Sequence, residues 1–281
     1  MMNRTIPDGP RSAAASVTDN VELCRGHFGL TVELPSPWRV RPGQFLMVRV
    51  SDGPDPLSLD PLLRRPFGVA DVAGGALGGG LVTGTRIEII YRVVGRGTAI
   101  MSRLRPGDVI DVLGPLGNGF PPVEPGRRLV MVAGGIGIPP FKLLARTTGG
   151  TLLFGARTGR EAALAEQLRA IGGCTVRTAT EDGSVGHKGL VTDLLAEEVS
   201  AESVVYACGP AAMLRAVARL CAGRGVECHV SLESSMACGM GVCLGCAVRA
   251  AQKDHAGAFR PLMVCCDGPV FESSLIDWEA L

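Results

Sequence analysis

Cys238, Cys243, Cys246, Cys265 and Cys266, half of the ten cysteines in the chain, lie close together near its C-terminal end. The first three stand in the run MACGMGVCLGCAV at the spacing C-x4-C-x2-C, the plant-type spacing for an iron–sulfur cluster. A [2Fe–2S] cluster needs four thiolates on a loop that wraps closely enough for backbone N–H groups to reach the sulfurs. Gly239, Gly241 and Gly245 permit that wrapping, since no Cβ blocks the approach. The fourth thiolate comes from Cys265 or Cys266, after a gap. Structural zinc is the competing reading, although it more often uses paired C-x2-C units. A Rieske centre needs two histidines, and none lies inside the motif. Cys24, Cys174, Cys208, Cys221 and Cys228 are dispersed and read as small buried hydrophobes in a reducing compartment.

Two further constellations suit phosphate-bearing ligands. In Leu63-Arg64-Arg65-Pro66-Phe67-Gly68, a proline follows an arginine at the start of a strand, so Arg65 can set a planar guanidinium against a phosphate oxygen. Ile90, Tyr91 and Arg92 follow on a later strand, and then Gly97 and Thr98 at the entry to a helix, whose free N–H groups suit a pyrophosphate. An ordinary helix cap is the plainer reading of Gly97 and Thr98. The second constellation is Gly134, Gly135 and Gly137 in VAGGIGIPP, a glycine-rich turn between a buried strand and a helix that lets a dinucleotide phosphate approach the backbone. Cys208, Gly209 and Pro210 end a later strand on the same carboxyl edge, where a thiol can meet a nicotinamide or flavin ring. His27, His187, His229 and His255 are scattered, and no catalytic triad or carboxylate pair stands out, so no catalytic residue is assigned. Glu233 and Lys188 read as solvated charges.

The elements that must position these groups fall into two textures. From Val21 to about Pro122, short alternating runs such as FGLTVELP and RIEIIYRVV are broken by Gly and Pro, which predicts an antiparallel β-barrel over residues 18–123, with a hairpin loop at Ala73–Gly84. Residues 1–17 read as a disordered tail. After a Pro-rich linker, strands alternate with helices over 124–227, including a helix at EAALAEQLRAI, which predicts a parallel sheet with ligands at its carboxyl edge. Residues 228–281 form a small cysteine-bearing segment. The 281 residues suit this division, and a 46% hydrophobic content excludes wholesale disorder. Lys plus Arg numbers 28 against 27 Asp plus Glu, too balanced to attract nucleic acid. The longest apolar run, Leu129–Phe141, is too short to span a membrane, and the first twenty residues lack a signal peptide's apolar block. A cytoplasmic protein is expected.

Taken in order, these motifs resemble the ferredoxin–NADP reductase superfamily, which joins a flavin barrel carrying R-x-[YF]-[ST] to a nicotinamide domain carrying GGxGxxP and CGP. Gly68 stands where that family has Ser or Thr. RRPF, YRVVGRGT, GPLGNGF, VAGGIGIPP, EDGSVGHKGLVTDLL, YACGP, ESSMACGMGVCLGC and CDGPVFESSLIDW together resemble the electron-transfer subunits of class B dihydroorotate dehydrogenases, from about Val17 to Trp278. The resemblance implies FAD held by Arg65–Gly68, Ile90–Arg92, Gly97 and Thr98. It implies cluster ligands Cys238, Cys243, Cys246 and Cys265, the last being the cysteine before x-DGPVF. It further implies NAD as the nicotinamide cofactor, although positive charge near Arg157 and Arg160 would suit the 2′-phosphate of NADP. It implies an FMN-containing catalytic subunit as partner in a heterotetramer, with electrons running from dihydroorotate through FMN, cluster and FAD to NAD+ in pyrimidine biosynthesis. A flavin belongs between the other two groups because nicotinamide exchanges electrons in pairs and a [2Fe–2S] cluster singly. Alternatives are the reductase subunit of another oxidoreductase and a zinc-bearing scaffold.

Overall fold

Alternation of apolar and polar residues closes the first part of the chain into a barrel. In a computed structural model, which describes residues 9–51, 60–74, 84–253 and 257–281, the strands are β1 (Arg11–Cys24), β2 (His27–Leu34), β3 (Phe45–Arg49), β4 (Arg65–Gly74), β5 (Thr85–Arg92) and β6 (Val109–Leu116). They pair antiparallel in the closed order β1-β2-β5-β4-β3-β6. Inward positions bring Leu30, Val32, Leu46, Val48, Ile87, Ile89 and Val112 into one core with Trp38. A short helix, α1 (Arg96–Met101), closes one end and is tied to β1, where Asn20 Nδ2 donates to the carbonyls of Met101 (2.8 Å) and Leu104 (3.0 Å).

The expected tail needs correction from Arg11 onward. Residues 11–16 pair with β6 from Arg11↔Gly114 to Ser16↔Val109 and seal the barrel. The alanines and serines there are poor strand formers by type. An open barrel edge nonetheless leaves a row of unpaired N–H and C=O groups, and closing it outweighs that weak preference. Residues 1–8 lie outside the described residues. Of the expected hairpin loop, 75–83 likewise lie outside them, while Gly74 and Thr85 face each other across its base.

The second part is a seven-stranded sheet in the order β10-β9-β8-β7-β11-β12-β15. It contains β7 (Arg128–Gly134), β8 (Gly150–Ala156), β9 (Cys174–Thr180), β10 (His187–Lys188), β11 (Ser203–Cys208) and β12 (Glu227–Ser231), all parallel, with β15 (Val270–Glu272) antiparallel at the edge. The interior strand β11, between β7 and β12, is buried at every position, as befits a parallel strand covered on both faces. Crossovers run through α2 (Pro139–Thr148), α5 (Val191–Glu198) and α6 (Ala211–Gly223). The expected helix over 161–171 is interrupted: α3 (Gly159–Ala162) and α4 (Glu166–Arg169) flank a 3-10 turn, and this tighter winding seats Leu164, Ala165 and Leu168 together in the core.

The boundary drawn at 227–228 cuts through β12. The C-terminal segment leaves the sheet at Ser231, forms the hairpin β13 (Ala247–Lys253) and β14 (Phe259–Met263), and returns as β15 beside β12. It is also stitched to the barrel, for Asn118 Nδ2 donates to the carbonyls of Asp267 (3.0 Å) and Val270 (2.8 Å), and its backbone N–H donates to Gly268 (2.7 Å). Barrel and sheet are joined again through α2, where Lys142 Nζ meets Glu88 of β5 at 2.5 Å and Arg146 meets Asp71 of β4 at 2.6 Å. Among the described residues no helix is long and apolar enough to cross a membrane.

Candidate functional site: two clefts and a cysteine loop

Two clefts open along the seam between barrel and sheet. The first, about 710 Å³, is lined by Arg65, Pro66, Phe67, Gly68, Ile90, Tyr91, Arg92 and Thr98 from the barrel side, and by Ile136, Pro139, Cys208 and Ser231–Met236 from the other. The second, about 730 Å³, is lined by Gly134, Gly135, Gly155, Arg157, Glu161, Gly209, Pro210 and Met213 among others. Arg92, Ile136 and Glu233 line both, so the clefts meet there.

The first cleft is shaped by strand pairing. β3 faces β4 in the register Val48↔Arg65 to Phe45↔Gly68, which fixes the start of β4 along the cleft wall. Arg65 donates to the carbonyl of Leu63 and lies across the first turn of α1. A Cβ on Gly97 would stand 2.7 Å from Arg65 Nε, so the missing side chain at Gly97 is what lets the guanidinium rest there. Gly97 therefore acts by yielding space, whereas Thr98 caps its own loop: its Oγ1 accepts from Val94 N (2.9 Å) and Gly95 N (3.1 Å) and donates to Gly95 O (2.9 Å). Tyr91 is packed between Phe28 and Phe67, and its hydroxyl is turned back to Asn20 Oδ1 at 3.2 Å. Burial raises its pKa, the Asn20 contact opposing. At Gly68 the nearest atom to an added Cβ is Pro139 Cβ at 3.9 Å, so the wall is open where a hydroxyl would otherwise project.

In the second cleft, the glycine turn winds as a 3-10 helix (Gly135–Gly137) into Pro139 at the head of α2. A Cβ on Gly137 would fall 2.3 Å from the carbonyl oxygen of Cys208. The turn is thus pressed directly onto the end of β11, and Gly137 works by that close approach rather than by lining the cleft. Cys208 is 4% exposed. Burial pushes its thiol pKa far up, and the nearby Glu233 adds to the rise, so it is a neutral group on the wall of the first cleft.

Glu233 is solvent-exposed, as a solvated charge should be, and it also has a place in the site. It borders both clefts, and desolvation raises its carboxyl pKa, with Arg92 opposing. The signal available in sequence was its place two residues beyond a strand at the carboxyl edge. Arg157, part of the positive charge that would suit a 2′-phosphate, is paired: Glu161 Oε2 accepts its backbone N–H at 3.1 Å, and Glu161 Oε1 holds its guanidinium at 3.3 Å. His27 lines the second cleft with no sequence signal to mark it.

The cysteine loop begins where the wall of the first cleft ends, at Met236. Gly239 and Gly241 take φ of 73° and 77°, the left-handed region that glycine enters without cost, and the loop curls back on itself. Backbone N–H groups then point at sulfur: Met240 N (3.4 Å) and Cys243 N (3.5 Å) donate to Cys238 Sγ, and Gly241 N donates to Cys265 Sγ at 3.1 Å. These donors, Met240 first, hold the Cys238 thiol below its ordinary range, at about 6. Burial and the neighbouring Cys246 thiol raise that of Cys265. Cys246 and Cys265 are buried, while Cys243 and Cys266 are exposed. Among the described residues no three His, Cys, Asp or Glu side chains are grouped as a single-ion site. The donor set, N–H groups aimed at clustered thiols on a glycine-bent loop, fits an iron–sulfur cluster.

Comparison with known proteins bears on each part. The family model described as the iron–sulfur cluster binding domain of dihydroorotate dehydrogenase B matches residues 233–277, and that of the oxidoreductase NAD-binding domain matches residues 131–219. A Bacillus velezensis protein named dihydroorotate dehydrogenase B (NAD(+)), electron transfer subunit, is 38% identical over 239 residues, covering 83% of this chain and 85% of its own. The protein of the same name from Caldanaerobacter subterraneus is 37% identical over 258 residues, covering 92% and 95%. Among solved structures, an NADH-dependent reduced ferredoxin–NADP oxidoreductase studied for flavin-based electron bifurcation matches with a TM-score of 0.76 at 28% identity, covering 94% of this chain and 90% of that one. The ferredoxin reductase of carbazole 1,9a-dioxygenase shares the fold, with a TM-score of 0.65 at 20% identity, covering 80% and 70%. With a closed flavin-type barrel, a parallel nicotinamide-type sheet and a cysteine loop joined in this order, the chain belongs to the family of dihydroorotate dehydrogenase B electron transfer subunits.

Proposed function

We propose that this chain carries electrons from dihydroorotate, oxidised at the FMN of a separate catalytic subunit, to NAD+ in pyrimidine biosynthesis, using a [2Fe–2S] cluster and FAD. The observation that carries this reading is the order of the three sites. The first cleft is bounded on one side by the glycine turn of the second and on the other by Ser234–Met236, which lead straight into the cysteine loop. When bound, the flavin supplies the exchange between paired and single electrons that nicotinamide and cluster cannot make with each other.

The chain's own residues bind and orient. Arg65, with the N–H groups of the α1 turn behind it, takes the flavin pyrophosphate, while Pro66, Phe67, Gly68 and Ile90–Arg92 form the wall along the ring. Gly134, Gly135, Gly209 and Pro210 receive the nicotinamide dinucleotide, and the Glu161 carboxylate occupying Arg157 favours NAD over NADP. Cys238, Cys243, Cys246 and Cys265 hold the cluster, with backbone N–H groups stabilising the thiolates. No side chain is required as an acid or base.

The partner docks at the cluster. Met240, Val242 and Leu244 expose 52%, 78% and 62% of their surface on this loop. Leu244 is held at φ 58°, a conformation that costs a residue with a side chain about 1–2 kcal/mol. Exposed apolar residues on a strained loop suit a protein interface better than water. The assembly is a heterotetramer in the cytoplasm. Anaerobic purification with the FMN subunit co-expressed tests the reading: about two iron, two labile sulfide and one FAD per chain are expected, with both subunits co-eluting. Zinc without flavin, or a chain that stays alone, would overturn it.

A further inference from the structure

Cys266 is the cysteine that the four-ligand set leaves over, and it is placed as no bystander is. Its Sγ lies 3.6 Å from Cys265 Sγ. A Cβ on Gly241 would stand 2.9 Å from Cys266 Sγ, so the thiol rests against the same glycine whose N–H donates to Cys265 Sγ. Both sulfurs therefore face one peptide of the loop between Cys238 and Cys243. The turn that carries them is held firmly: Met263 O accepts from the N–H groups of Cys266 (3.0 Å) and Asp267 (2.8 Å), and Asp267 Oδ2 accepts from Met263 N at 2.7 Å. The pair thus presents two thiols to the cluster at nearly one place, one buried and one facing solvent.

We propose that Cys266 is a reserve cluster ligand, able to take the fourth position when Cys265 cannot. This rests on the cluster reading above. The exchange is redox-neutral: the bond from iron to Cys265 sulfur breaks, a bond from iron to Cys266 sulfur forms, and the proton leaving the Cys266 thiol goes to the Cys265 thiolate. Neither the loop nor the hairpin need move far, since the two sulfurs are already in contact. Cys265, buried and supplied with the Gly241 N–H, is the resident ligand. Cys266 has the exposed position and lacks that donor.

The test uses the full chain as wild type, Cys265→Ser, Cys266→Ser and the double variant, purified anaerobically. Iron and labile sulfide, the electron paramagnetic resonance spectrum after reduction, and sites of iodoacetamide alkylation mapped by mass spectrometry are recorded for each, with FAD content as the folding control. In wild type, Cys266 is alkylated and Cys265 is protected, and C266S leaves the resonance unchanged. In C265S, iron and sulfide remain at the wild-type level, the resonance shifts, and Cys266 becomes protected. The double variant loses the cluster or shows the blue-shifted absorption of serine ligation. C265S that loses its cluster, or that matches the double variant with Cys266 still alkylated, overturns the proposal, as does an unchanged resonance in C265S with an altered one in C266S. If C265S does not retain FAD, Cys265→Ala is measured in its place, and cluster loss from both counts against it. Wild type without iron and sulfide would instead sink the cluster reading itself.

Discussion

Replacing Gly97 with alanine tests the contact proposed to hold Arg65 in place for the flavin pyrophosphate. The new methyl would lie 2.7 Å from Arg65 Nε, 3.1 Å from Cδ and 3.2 Å from Cζ. Comfortable contact needs roughly 3.5–4 Å, so the guanidinium must retreat by up to about 1 Å. Because the obstructing atoms belong to a flexible side chain, the barrel need not yield. Alanine is moreover the better helix former by about 0.8–1.0 kcal/mol, so the melting temperature should hold or rise. What is lost is the alignment of a charge-assisted hydrogen bond to phosphate, worth about 1.5–3 kcal/mol, or about 10- to 150-fold in FAD affinity. The assay is FAD rebinding to deflavinated protein followed by flavin fluorescence, in wild type, G97A, R65A and the double variant. If Gly97 acts through Arg65, adding G97A to R65A weakens binding little further. Fully additive losses, or a fall in melting temperature that accounts for the weakened binding, would refute the reasoning.

Gly137→Ala is the contrasting case, since its methyl meets backbone, the carbonyl of Cys208 at 2.3 Å. It should cost about 1–3 kcal/mol or more in urea unfolding and weaken nicotinamide binding; a neutral result would mean that the turn is not wedged against β11. Glu161→Gln removes the charge that holds Arg157 and is expected to improve NADPH use relative to NADH, checked by the ratio of kcat/KM for the two; an unchanged ratio counts against that role. For Glu233, the raised folded-state pKa means that its stabilising contribution is present below the ordinary carboxyl pKa of about 4.3. That contribution is lost as pH rises through the folded value. Melting temperatures of flavin-loaded wild type and E233Q should therefore diverge in favour of the variant from pH 5 to pH 8, and parallel curves would exclude the effect.

How much could be read beforehand follows from how local each signal is. The cysteine loop was legible because ligand spacing and glycine content lie within one short run, and VAGGIGIPP and YACGP were legible because each strand and its turn are contiguous. The strand Arg11–Ser16 was not: its residues carry no strand preference, and it forms because β6, almost a hundred residues away, offers an edge. The place of Glu233 and His27 on the cleft walls was missed for a related reason, since a polar side chain beside a cleft looks like one on an open surface until the opposite wall is known. The pairing of Arg157 was not legible because its partner, Glu161, lies in the next turn of chain and reads as an ordinary helix residue. The role of Gly97 required knowing that Arg65 crosses it, a fact of the barrel's closure rather than of either motif.

The return of the chain as β15 has a consequence for proteolysis and protein quality control. β12 would otherwise be the naked edge of a parallel sheet, with Val230 buried beside it, and such an edge is a template for pairing with other chains. The three residues that cover it, Val270–Glu272, follow Cys265 and Cys266 by only a few positions. A cut anywhere in the β13–β14 hairpin that releases the C-terminal piece therefore removes Cys265, Cys266 and the edge cover in one event. A clipped chain would not circulate as a soluble decoy that still occupies NAD but passes no electrons. It would become adhesive at the moment it became inactive, and so fall to the machinery that clears aggregating proteins.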